Sequence, residues 1–203
     1  MSEESVSAEF FVRMKEKLKT RLTPKRFEHS LGVSAMAIRL ARTYSVDTSK
    51  AGLAGLLHDW DKSYDDAGIK LRARELGVSV NQEVFNTMPR LLHGETAAAA
   101  LHRDYPEIDA DVLQAIKRHT AGSCAMSELD MIVYIADAIE LTRPYPEMDA
   151  LRAQIGKVSL EKLFLKTYKQ VFMHLIQKEY AIHPDTVQVW NYYVARASSQ
   201  KYD

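Results

Sequence analysis

A chain of 203 residues is one domain, or one domain with a helical appendage, and is long enough to bury a sizeable core. Its 27 Lys and Arg balance 27 Asp and Glu, which argues against a duplex-DNA binder or a polybasic membrane-surface protein, since both depend on basic excess. The single cysteine, Cys124, forms no internal disulfide, the start Met1 to Ser5 is acidic and unlike a signal peptide, and no apolar run approaches the roughly 20 residues of a membrane span, so a cytoplasmic protein is expected.

Proline and glycine are scarce, and helical spacing recurs along the chain. A short amphipathic segment runs from about Glu9 to Leu18. Thr23-Pro24 reads as an N-cap with proline at the first helical position, opening a helix with Phe27, Leu31, Ala35 and Ile38 on one stripe. Asp47 to Ser49 offer caps for a helix from Lys50 to about Trp60, apolar nearly all round and hence central. Ile69 to Leu76 reads as a short helix stopped by Gly77, and Pro89 precedes another from Leu92 to Arg103. Asp109 caps a helix with Val112, Ile116 and His119 on one face. Ser127 and Asp130 have capping-box spacing before Met131 to Leu141. A long helix covers Ser159 to Tyr180, and Pro184 opens the last one, through Val187, Trp190 and Val194. The expectation is an all-α, single-domain bundle of eight to ten helices over 1–203, with 142–158 the best candidate boundary.

Some polar residues sit where burial is expected. His58-Asp59 ends the central helix, Asp137 lies within the apolar run Tyr134 to Ile139, and His29 shares a helix with Gly32, Val33 and Met36. Alone, such a histidine is more often a hydrogen-bonded core residue, and such an aspartate more often a cap. Together they supply two imidazoles and two carboxylates from three helices, and a buried carboxylate demands a cation or several donors. His93 and His119, each followed by a nearby glycine, bring the group to six. Imidazole with carboxylate suits iron, manganese, cobalt or zinc, and six such groups are enough for two ions.

A histidine, an adjacent His-Asp pair and a distant Asp resemble the pattern of the HD-domain phosphohydrolases. The fuller string is similar to the YqeK family. It comprises Arg26 to Val33, Leu56 to Lys62, Leu92-His93-Gly94, His119 to Gly122, Met126 to Asp130, Tyr134 to Asp137, Glu140, Arg143, and His183 to Val187. The resemblance extends over about 23–191 and implies a symmetrical bis(5′-nucleosyl)-tetraphosphatase, which cleaves diadenosine tetraphosphate to two ADP with a metal-activated water. It implies metal ligands His29, His58, Asp59, His93, His119 and Asp137, with iron the associated metal and Asp59 the bridge.

The resemblance also distributes roles around that centre. Asp59, Asp61 and Lys62 form the expected catalytic group, Asp61 orienting water or protonating the leaving oxygen unless it merely pairs with Lys62. Arg26, Lys62, His93, Thr120, Arg143 and Thr186 are the expected substrate contacts. His102 and His174 read as structural, Cys124 lacks a base partner for nucleophilic work, and the C-terminal aromatic residues are more often core than a base platform. Two alternatives stay open: an HD-type nucleotidase or phosphodiesterase acting on nucleoside monophosphates or cyclic nucleotides, and a non-catalytic nucleotide sensor. Partners are expected to be nucleotides, with no nucleic acid and no membrane, and a homodimer is among the possible assemblies.

Overall fold

The computed structural model describes residues 7–142 and 146–199. All regular structure among them is helical: α1 (Ala8–Arg21), α2 (Pro24–Tyr44), α3 (Thr48–Leu57), α4 (Asp66–Glu75), α5 (Gln82–Thr87), a 3₁₀ turn (Pro89–Leu92), α6 (His93–Asp104), α7 (Ala110–Arg118), α8 (Glu128–Ile139), α9 (Pro146–Arg152), α10 (Leu160–Gln177) and α11 (Thr186–Ser199). The all-α expectation holds. The helices exceed the expected eight to ten because α5 and α9 are too short to show a period.

Capping chemistry sets most of the boundaries. Thr23 accepts from the Arg26 amide, Asp47 from those of Ser49 and Lys50, and Asp109 from that of Asp111. Ser127 and Asp130 complete a reciprocal capping box at the start of α8. The C-terminal turn differs from expectation: α11 begins at Thr186, so Pro184 lies two residues ahead of it rather than at its first position.

Two helices form the centre. Every residue from Ala51 to Leu57 on α3 is buried, as is almost all of α8 from Leu129 to Ile139. Around them pack α2, α7 and α10, with α6 against α7. A smaller apolar cluster, Ile69, Ala73, Val84, Phe85 and Leu92, ties α4 and α5 to the 3₁₀ turn. Among the described residues, no helix is long and apolar enough to cross a membrane.

α3 packs closely on α2. A Cβ at Gly55 would lie 3.0 Å from Ser34 Cα and 3.1 Å from the Val33 carbonyl, so backbone meets backbone there. This also corrects the predicted stripe of α2. Ala35 is exposed and Phe27, Leu31 and Ile38 are half-buried, while the buried face is His29, Ser30, Val33, Ser34, Met36, Ala37, Leu40 and Ala41. On α11 the buried pair is Val189 and Tyr193, with Val187 and Val194 exposed.

Candidate metal centre

Four imidazoles and two carboxylates converge where α2, α3, α6, α7 and α8 meet. His58 and His119 cap the C-terminal ends of α3 and α7, and His93 joins the 3₁₀ turn to α6. Each uses Nδ1 in the same way, donating to the carbonyl three residues back: His58 to Gly55 at 2.8 Å, His93 to Arg90 at 2.7 Å, His119 to Ile116 at 2.6 Å. A carbonyl only accepts, so these bonds fix the tautomer and leave Nε2 as a bare lone pair. His29 presents Nδ1 to Glu140 Oε1 at 3.0 Å, a carboxylate in place of a carbonyl.

All four Nε2 atoms face inward. Those of His93 and His119 are 3.0 Å apart. Both are acceptors in these tautomers, so the approach is repulsive until a cation lies between them. Nε2 of His29 and of His58 are buried without a hydrogen-bond partner. His29 Nε2 is nonetheless 3.0 Å from Asp137 Oδ1, a spacing that two ligands of one ion adopt. Asp59 divides its oxygens between two histidine pairs: Oδ2 lies 3.4 Å from His58 Nε2 and 4.0 Å from that of His29, while Oδ1 lies 3.2 Å from His93 Nε2 and 4.0 Å from that of His119. Three overlapping groups result, His29-His58-Asp59, His58-His119-Asp137 and Asp59-His93-His119, each with its ligand atoms within 4.8 Å of one another. Converging lone pairs, buried orphan nitrogens and a shared carboxylate fit a divalent metal.

Electrostatics agrees with that reading. Burial, with help from His93 and His58, pushes His119 down to about 3, so it is a neutral ligand at physiological pH. Burial and the nearby Lys62 ammonium lower His93 as well. Burial opposes an ionised Asp59, but the rings of His58 and His93, when they carry a proton at Nε2, hold its carboxyl well below the usual carboxylate range. His29 is the exception. Burial disfavours its charged ring, but Asp137 and Glu140 outweigh this and raise it to about 9.

A metal entering this site therefore displaces a proton from His29. Metal affinity should rise with pH up to about 9 and then level off, read as proton release by calorimetry in buffers of different ionisation heat. The stability of the metal-free protein runs the other way. A folded pKa above the unfolded one contributes fully below pH 6.5 and is lost as pH climbs through about 9.

Glu140 is the functional residue that sequence reasoning left without a role. Its signal is a carboxylate three residues after Asp137, closing the same apolar run. It is wholly buried, and Gly32 leaves it room, since a Cβ there would come within 2.6 Å of Glu140 Oε2. Replacing Glu140 with glutamine should weaken metal binding about 10- to 100-fold, the usual cost of losing a ligand's orienting partner. Titration against a chelating dye measures this.

All six expected ligands come together, and three expected substrate contacts, Arg26, Lys62 and Thr120, join them. Arg26 Nη1 is 2.9 Å from Asp59 Oδ2, and Lys62 Nζ is 3.3 Å from His93 Nε2. Thr120 places its hydroxyl 3.3 Å from His119 Nε2. Thr186 is buried beside Thr120 on an apolar cavity of about 210 Å³, lined also by Tyr134, Tyr168 and Phe172. Asp61 departs from expectation. Its carboxylate is wholly buried between Arg21 at 2.9 Å and Arg72 at 3.0 Å, not paired with Lys62. Two guanidiniums hold it, so it braces the turn after α3. Arg143 lies outside the described residues.

A second cavity, of about 320 Å³, opens on the other side of Thr120 and Ala121, walled by Leu91, Leu92, Glu95, Lys117, Ser123 and Asp185. The metal cluster thus adjoins two recesses, one apolar and aromatic, one charged.

Residues 26–142 match the HD domain family. A protein of Staphylococcus aureus named bis(5′-nucleosyl)-tetraphosphatase, symmetrical, is 38% identical over 185 residues, spanning 89% of this chain and 93% of that protein. The protein of the same name from Bacillus subtilis is 31% identical, covering 88% of this chain and 94% of its own length. A crystal structure from Clostridium acetobutylicum, described as a predicted HD superfamily hydrolase involved in NAD metabolism, superposes with a TM-score of 0.83 at 35% identity, covering 92% of this chain and 97% of that one. With the His-Asp pair that follows α3 and the distant aspartate of α8 both inside the matched range, the chain belongs to the HD-domain family, within its branch of symmetrical bis(5′-nucleosyl)-tetraphosphatases.

Proposed function

We propose that this enzyme hydrolyses diadenosine tetraphosphate at its central anhydride, giving two ADP, with two iron ions held by His29, His58, Asp59, His93, His119 and Asp137. The observation that carries the reading is the division of Asp59, one oxygen toward His29 and His58 and the other toward His93 and His119. That arrangement suits a carboxylate shared by two ions. When bound, such ions supply positive charge to the phosphoryl oxygens and a nucleophile from water at neutral pH.

The chain's own residues supply the remainder. Arg26 and Lys62 rest against Asp59 and His93, so both cations stand where phosphoryl oxygens arrive, and charge cancellation there lowers the barrier. Thr120 offers a hydroxyl beside His119. The two cavities meeting at Thr120 and Ala121 suit a substrate with a nucleoside at each end.

The test is product analysis under anaerobic conditions with ferrous iron. ADP as sole product, absent in a His58→Ala, Asp59→Ala double variant, is the expected result. ATP with AMP would overturn the symmetrical cut. Metal analysis of the same preparation reports the number and identity of ions.

A further inference from the structure

Among the described residues, two buried side-chain atoms without a hydrogen-bond partner lie outside the metal cluster, Ser30 Oγ inside α2 and Glu95 Oε2, and only Glu95 lines a cavity. Glu95 Oε2 is shielded from solvent and has no hydrogen-bond partner. Glu95 stands in the first turn of α6, two residues after His93, and lines the charged cavity of about 320 Å³. It also lines a neighbouring recess of about 480 Å³, which shares Lys117 and Arg118 with the first. Arg118 is committed to the protein, bonding Asp130 at 2.8 Å and the Ala125 carbonyl at 2.6 Å. A shielded acceptor without a donor is costly, and such a cost is kept where a ligand relieves it.

The position of Glu95 says what that ligand presents. The cavity begins beside the metal cluster, since Leu92 and Thr120 on its wall are neighbours in sequence of His93 and His119. A nucleotide gripped at the cluster by its phosphates therefore extends past Glu95. An ionised glutamate only accepts, so it repels phosphate oxygens and requires donors. The first donor-bearing part of a nucleotide beyond its phosphates is the ribose. Its two hydroxyls sit on adjacent carbons and match the two oxygens of a carboxylate, and the soft terminal torsion of a glutamate lets it turn both toward a ligand.

We propose that Glu95 recognises the nucleotide's ribose, accepting from the 2′- and 3′-hydroxyls, and so makes the enzyme select ribonucleotides over their deoxy counterparts. This rests on the nucleotide-hydrolase reading given above. Loss of the hydroxyls leaves the carboxylate unpaired again, while loss of Glu95 removes the penalty along with the contact.

The experiment compares binding of ADP and 2′,3′-dideoxy-ADP to the metal-loaded protein by calorimetry, for the wild type, Glu95→Gln and Glu95→Ala. The wild type should prefer ADP by about tenfold or more, and Glu95→Ala should bring the two within about twofold, through weaker binding of ADP alone. Glu95→Gln, which keeps one acceptor, should fall between. The thermal midpoint of Glu95→Ala should equal or exceed the wild type's, because an unpaired buried acceptor has gone. An unchanged preference in Glu95→Ala overturns the proposal, as does a lowered midpoint with equal loss of both ligands, the mark of a structural residue. A wild type that forms ADP from diadenosine tetraphosphate but binds both nucleotides alike ends this inference and leaves the hydrolase reading standing. A wild type that forms no ADP ends both.

Discussion

Replacing Asp59 with alanine should abolish hydrolysis and strip the centre of metal together. Loss of a partner that merely orients a ligand costs about 10- to 100-fold in affinity for one ion. Asp59 faces both histidine pairs directly, so on the proposed two-ion reading its loss acts on both, and compounding that cost gives a fall of about a thousandfold or more in activity. The fold should survive, because Asp59 supports the ligands and Arg26 but no helix end. Circular dichroism unchanged beside an empty metal assay is the expected pair of results. Full metal content with turnover near that of the wild type would remove Asp59 from the centre.

The second large effect is on stability and comes from Gly55→Val. The glycine's missing Cβ is what lets α3 lie on α2, since Ser34 Cα stands 3.0 Å from where that Cβ would be. Backbone on both sides has little room to yield. Overpacking of this kind costs about 1–3 kcal/mol and more where backbone must shift, and at the upper figure a chain of this size loses about 6–12 °C in Tm. His29 rides on α2 while His58 and Asp59 follow α3, so spreading the two helices also spreads the ligands. Calorimetry should show the lower midpoint, and metal titration weaker binding. A midpoint within about 2 °C of the wild type would show that the contact has more slack than its distances indicate.

The centre was legible because it breaks the pattern around it. His58, Asp59 and Asp137 interrupt helices that are otherwise apolar, and no surface role accounts for charge in such runs. The caps at Thr23, Asp47, Asp109 and Ser127 were legible because each uses its own side chain on amides two or three residues away. The buried face of α2 was not, for a related reason. His29, Ser30 and Ser34 belong to it, and hydrophobic periodicity assigns polar residues to solvent. On α11, apolar residues occupy two adjacent stripes, and only packing against α10 selects Val189 and Tyr193. Asp61 looked available for chemistry because its partners, Arg21 and Arg72, come from helices on either side, at separations that local spacing does not reveal. Glu95 sat among alanines on an amphipathic helix, where a glutamate ordinarily faces water.

Two helices end at the metal centre, and their direction carries an electrical consequence. α3 and α7 both terminate in ligands, His58 and His119. A helix concentrates about half a negative elementary charge at its C-terminal pole. Two such poles, against the one positive pole where α6 begins at His93, leave a net fixed negative contribution beside the carboxylates, built from peptide groups that no change of pH can neutralise. Positive charge placed there is stabilised by that fixed potential, and a redox-active ion seated in the centre would be drawn by it toward its higher oxidation state.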